Sequence, residues 1–135
     1  MHARAPGQRP VTRRVMAPAL VAALREGRIL QIRAGAGRHP FIGIWVVVVD
    51  GRAFVRSWSR KPRSWWRTFL EEPTGAIRVG KRTIRVRAAR IRSERIREAV
   101  DRAYLDKYGK GAQRRYALDL ATPACRATTT ELVPV

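Results

Sequence analysis

The sequence has no asparagine, a single cysteine (Cys125) and two histidines (His2 and His39). One thiol excludes an internal disulfide framework, and with so few histidines it leaves too few ligands for a zinc site. Acidic side chains are scarce as well: 10 Asp and Glu stand against 29 Lys and Arg, a formal net charge of +19. No apolar run approaches the roughly 20 residues of a membrane span; apart from Val15–Leu24, which Pro18 interrupts, the longest is Ile44–Val49. A soluble, cytoplasmic protein is expected. Side-chain catalytic machinery is missing too. His39 precedes Pro40 in a loop, and no serine elbow or nucleophile motif accompanies it. Gly35-Ala36-Gly37 and Gly109-Lys110-Gly111 lack the spacing of a phosphate loop and read as turns. The carboxylates Glu94, Glu98, Asp101 and Asp106 are expected on the solvated side of a helix, offering no acid/base pair.

What remains is 135 residues, 45% of them hydrophobic. That length suits one domain that buries about two-thirds of its unfolded surface. Residues 1–15 read as a flexible basic arm and 16–135 as the domain. Thr12-Arg13-Arg14 before an apolar stretch superficially resembles a twin-arginine export signal, but Pro18 and Arg25-Glu26 argue against it; Met16 as the true start is the simpler alternative. The positive charge is almost all arginine, 25 against 4 lysines, which partly reflects a GC-rich coding habit. Its distribution is more telling: net +6 over residues 1–50, +11 over 51–100 and +2 over 101–135. An anion belongs with the middle third.

Pro18 opens a short helix with Leu20, Val21 and Leu24 on one face, ended by Gly27. Leu30 and Ile32 alternate with Gln31 and Arg33 as a strand. A glycine-rich loop then leads to a strand over 41–49, joined through the Asp50-Gly51 turn to a strand over 52–58. In that register Trp45 faces Arg56 and Val47 faces Phe54. Both faces of the hairpin are largely apolar, which implies a barrel interior on one side and a helix or a second subunit on the other. Pro62 begins a second helix carrying Trp65, Trp66, Phe69 and Leu70. Gly80-Lys81 turns a second hairpin that pairs Ile77 with Ile84 and Ala76 with Arg85, and one of its faces is basic (Arg78, Arg85, Arg87). Ser93 caps a third helix whose apolar stripe runs Ile96, Ala99, Val100, Ala103, Tyr104 and stops at Gly109. A polar loop and a last strand, Arg126–Val133, complete the chain, with Cys125 at that strand's start as a packing residue. The expected fold is mainly β with short helices (α+β): about six antiparallel strands and three helices.

The concentrated chemical signal is Arg56-Ser57-Trp58-Ser59-Arg60-Lys61-Pro62, where a strand end feeds a helix start. Hydroxyls, cations and helix N-terminal N–H groups converging in seven residues suit a phosphate monoester. Trp45 and Trp58 could wall an aromatic ring. On residues alone, a solvated cationic strand end with core tryptophans accounts for the pattern equally well.

The order of these elements resembles the split β-barrel of the pyridoxamine-phosphate-oxidase and flavin-reductase-like superfamily. Within it, Ile44-Trp45-Val46, Val55-Arg56-Ser57, Trp65-Trp66-Arg67, Ala103-Tyr104 with Lys107-Tyr108-Gly109, and Arg126-Ala127-Thr128-Thr129 with Leu132-Val133-Pro134 resemble a small uncharacterised bacterial family. The likeness covers residues 28–134. It implies FMN or a deazaflavin as cofactor, a homodimer with the cofactor at the subunit interface, and hydride transfer to a small acceptor in a nitroreductase-like oxidoreductase. It further implies Ser59, Arg60 and Lys61 on the phosphate; with the phosphate there, Trp45, Arg56 and Ser57 are expected near the ring. The sequence departs from the oxidase branch at Val46–Val49, which is wholly apolar where that branch carries basic residues. Two alternatives are a nucleic-acid-binding module using Arg78, Arg85, Arg87 and the arm arginines Arg4, Arg9, Arg13 and Arg14, and a cofactor-free dimeric scaffold.

Overall fold

The computed structural model describes residues 15–37, 39–58 and 64–135. Among these, α1 (Pro18–Glu26) precedes β1 (Leu30–Ala34), β2 (Ile42–Ile44), β3 (Val47–Val49) and β4 (Arg52–Val55). Next come α2 (Trp65–Glu71), the hairpin β5 (Thr74–Val79) and β6 (Arg82–Arg90), and α3 (Glu94–Tyr108). A single 3₁₀ turn at Gly111–Gln113, α4 (Arg114–Asp119), α5 (Pro123–Arg126) and β7 (Thr130–Pro134) complete the chain.

The seven strands form one antiparallel sheet in the order β2-β1-β5-β6-β7-β4-β3. The strand expected over 41–49 is therefore two strands, lying on opposite edges of the sheet and separated only by Trp45 and Val46. Three peptide links span at most about 11 Å, whereas a flat seven-strand sheet separates its edges by about 29 Å. The sheet must therefore curl until its edges meet, giving a mainly β half-barrel. Curling bends the chain at Trp45–Val46, and the broken ladder there frees backbone groups that burial would penalise. Side chains of α3 satisfy them: Tyr104 Oη donates to Trp45 O (3.3 Å), Lys107 Nζ to Val46 O (2.8 Å), and Val46 N–H to Tyr108 Oη (3.3 Å).

Local turn chemistry sets both hairpins as expected. Asp50 and Gly51 hold positive φ (52° and 72°), as a type I′ turn requires, and pair Val49 with Arg52 and Val47 with Phe54. That ladder stops there, so Trp45 and Arg56 are not opposed strand residues and β4 ends at Val55, not at 58. Gly80, φ 59°, pairs Ile77 with Ile84 and Ala76 with Arg85.

Side chains of one parity, drawn from all seven strands, meet in one cluster with Leu20 and Leu24 of α1 and Phe69 of α2; this is the concave interior. Gly75 belongs to it because a Cβ there would lie 2.8 Å from the Phe69 ring and 2.4 Å from Arg33 O. On the convex side Val47 and Phe54 pack with Val100, Tyr104 and Tyr108 of α3 and with Ala117, Leu120 and Cys125. Both faces of the β3–β4 hairpin are thus buried, and the cover on the second face is a helix of the same chain.

Three further expectations are corrected. The segment after Gly109 is not a polar loop but a 3₁₀ turn and two short helices, giving five helices and seven strands among the described residues instead of three and six. Only Ala117, Leu120 and Cys125 of that segment bury deeply, too few to reveal a period. Cys125 accordingly sits in α5, and the last strand begins at Thr130. Leu70 of α2 is 46% exposed, while Trp66 and Phe69 are buried. The described part of that helix is capped by Ser64, whose Oγ accepts from Arg67 N–H (3.3 Å); Pro62 lies outside the described residues.

No helix among the described residues is long and apolar enough to cross a membrane.

Candidate functional site

Of the six residues singled out for a cofactor, Trp45, Arg56 and Ser57 are described, whereas Ser59, Arg60 and Lys61 lie outside the described residues. Arg56 directly follows β4 and is 2% exposed. Its Nε donates to Thr129 Oγ1 (2.9 Å), Nη1 to Asp101 Oδ1 (2.5 Å) and Leu120 O (2.8 Å), and Nη2 to Arg97 O (2.9 Å). Four of the five guanidinium N–H donors are thereby directed at the protein. A buried guanidinium is tolerable only when paired and hydrogen-bonded in this way. Asp101 Oδ2 also forms an ion pair with Arg126, whose Nε lies 3.1 Å away, and Arg126 pairs in turn with Glu94. Asp101 is therefore not a solvated helix carboxylate, as the sequence suggested, but the acidic centre of a network joining α3, β4, the end of α4 and the approach to β7.

Ser57 is 4% exposed. Its N–H donates to Thr128 Oγ1 (2.8 Å), and Thr128 Oγ1 in turn donates to Cys125 O (2.6 Å). The strand end Arg56-Ser57 is thus clamped to the segment entering β7, and this rigid support delivers Trp58 to the surface.

Trp58 is 48% exposed and meets Trp45 edge to face, with centroids 5.5 Å apart at 71°. The two indoles therefore make a notch and not the flat wall that the sequence suggested. Trp45 instead lies flat on Tyr108 (4.1 Å, 1°), and Tyr108 leans on Tyr104 (6.1 Å). Outward, Trp58 meets Tyr116, which is 41% exposed (6.4 Å, 88°). Five aromatic rings thus run from the α3 core to the surface at Trp58 and Tyr116. Tyr104 and Tyr108 are one turn apart on α3, which could have marked them as partners for Trp45; Tyr116, in the segment taken for a loop, carried no such signal.

Electrostatics around this stack are positive. Arg28 lies over the Tyr108 ring (4.7 Å) and donates to Lys107 O (2.7 Å). Lys107, held on Leu24 O and Val46 O at 2.8 Å each, has its pKa lowered to about 8 by burial and, secondarily, by Arg28. Burial raises the pKa of Tyr104 and Tyr108, so both phenols stay protonated across the neutral range. A cleft of about 700 Å³ opens elsewhere, between α1, the Asp50-Gly51 turn and β7, and does not include Trp45 or Trp58.

The arrangement is similar to known proteins at the level of fold. Among solved structures, the "putative pyridoxamine 5′-phosphate oxidase" of Listeria innocua superposes with a TM-score of 0.57 at 13% identity, covering 87% of this chain and 90% of that one. A conserved hypothetical protein of Mycobacterium tuberculosis superposes with a TM-score of 0.53 at 14% identity, covering 93% and 85%. No curated protein matches the sequence. The profile of a bacterial family described as "uncharacterized protein conserved in bacteria" (DUF2255) matches residues 19–132.

Proposed function

The chain belongs to the DUF2255 family, and from its split-barrel fold and its aromatic notch we propose that it binds FMN or a deazaflavin and acts as a nitroreductase-like oxidoreductase. The observation that carries this reading is the edge-to-face contact between Trp45, which links β2 to β3, and Trp58, three residues past β4. Ser59-Arg60-Lys61 follow Trp58 directly in the sequence. The likeness in fold to the Listeria innocua protein supports it.

The donor set suits such a group. Ser59, Arg60 and Lys61 combine a hydroxyl, a planar fork and a point charge, the chemistry that receives a phosphate. Trp58 and Trp45 offer a ring edge and a ring face to a planar heterocycle. Arg56, with four donors already directed at the protein, serves as the strut that holds this strand end in place, and not as a direct donor to the ring. When bound, the flavin supplies the hydride chemistry, so no side-chain triad is needed. In this proposal two copies of the chain complete the cofactor site at their interface, as the resemblance implies.

The test is visible absorbance of the full chain purified from its native host, followed by titration of FMN and a deazaflavin. The expected result is a bound chromophore whose affinity falls at least tenfold in Arg60→Gln/Lys61→Gln. A colourless protein that binds neither compound overturns the reading.

A further inference from the structure

The convex face of β1, β5 and β6 carries Arg33, Arg78, Arg85 and Arg87, brought together by strand pairing. Arg33 and Arg85 both pair with Ala76, Arg78 pairs with Thr83, and Arg87 with Thr74. Arg78, Arg85 and Arg87 are exposed. None of the four forms an ion pair with a carboxylate among the described residues. Phe41 lies between two of them, 4.7 Å from the Arg33 guanidinium and 3.8 Å from that of Arg78. The sequence had joined Arg78, Arg85 and Arg87 from one hairpin; only the sheet order adds Arg33 and the aromatic ring that braces it.

We infer that this face is a docking surface for single-stranded nucleic acid, bound through its phosphates without base reading. Charge selects the partner. Four cations without an ion-pair partner among the described residues would repel the same face of a second copy, whereas a polyanion releases its counterions on meeting them. Shape selects the strand state. A convex sheet touches a rigid duplex only along a tangent, so few of the duplex phosphates come within reach of the four guanidinium groups. A flexible single strand follows the curvature, and guanidinium planes give its bases surfaces on which to stack. The inference is independent of the flavin reading and uses none of its residues.

The test is fluorescence anisotropy of the full chain with a labelled oligothymidylate of about 16 nucleotides over a series of salt concentrations. Each phosphate contact contributes about −0.7 to the slope of log K against log salt. Arg85→Gln/Arg87→Gln should therefore flatten the slope by about 1.4 and weaken binding several-fold at low salt. Arg95→Gln/Arg102→Gln, on the exposed side of α3, removes the same charge and should leave the slope unchanged. Circular dichroism is the check that both variants fold. Four results overturn the inference: no binding, equal losses from the two pairs, tighter binding of the matching duplex, or tighter binding of phosphatidylserine vesicles.

Discussion

Arg56 and the Arg78–Arg85–Arg87 face are built from the same residue type and do opposite jobs. Arg56 is 2% exposed, its guanidinium tied to Asp101, Thr129, Leu120 and Arg97. The sheet arginines are exposed and lack acidic partners among the described residues. A charge inside the fold is tolerable only when its donors are taken, and those donors are then withdrawn from any ligand. A charge outside keeps its hydration and stays open to an anion. Net charge therefore says little about ligands until each cation's partners are known.

The contrast is broken most directly at Arg56. Arg56→Ala removes one of the two arginines on Asp101 and leaves two carbonyls and Thr129 without their donor, and should cost about 3–5 kcal/mol of stability, measured by chemical denaturation. A loss below about 1 kcal/mol would show that the network is no more than a surface pair. Asp101→Asn should cost less, about 1–2 kcal/mol, because Asn still accepts a hydrogen bond and Arg56 keeps its three neutral acceptors. Lys107 sharpens the comparison through pH. Its folded pKa, about 8, lies below its ordinary value of 10.5, so between those limits the unfolded chain binds more protons. Stability from this group should therefore rise from pH 8 towards 10.5. Comparing the pH profile of the protein with that of Lys107→Met isolates the effect from general relief of charge repulsion, and identical profiles would refute it. Smallest of all, Arg85→Gln/Arg87→Gln should leave stability within about 0.5 kcal/mol of the parent in the same denaturation assay. A larger loss would mean that these arginines are built into the fold as Arg56 is.

Local chemistry was legible. Asp50-Gly51 and Gly80-Lys81 each set their register through the turn, and Ser93 caps α3 with its Oγ accepting from Ile96 N–H (3.3 Å). The break inside 41–49 was not legible, because Ile44–Val49 is apolar throughout and carries no turn residue to mark a bend. The helices after Gly109 were hidden by their polar composition, although Pro123 after Thr122 is a helix-start signal that marks α5. At the candidate site the sequence singled out Arg56 by its cationic neighbourhood. Its partners sit 41 to 73 residues away along the chain, and no local pattern announces them.

By itself, then, the sequence determined the hairpin registers, the long amphipathic helix and the clustering of cations in its middle third, because turns, caps and periodicities act over a few residues. The tertiary structure alone decided which cations are spent and which are free. It set the edges of the sheet together at Trp45–Val46, stacked Trp45 on Tyr108, and drew Arg33 beside Arg78 while closing Arg56 inside a shell of acceptors. The physical reason is that desolvation and pairing depend on what surrounds a charge in space. For this chain those surroundings come from strands and helices far apart in sequence.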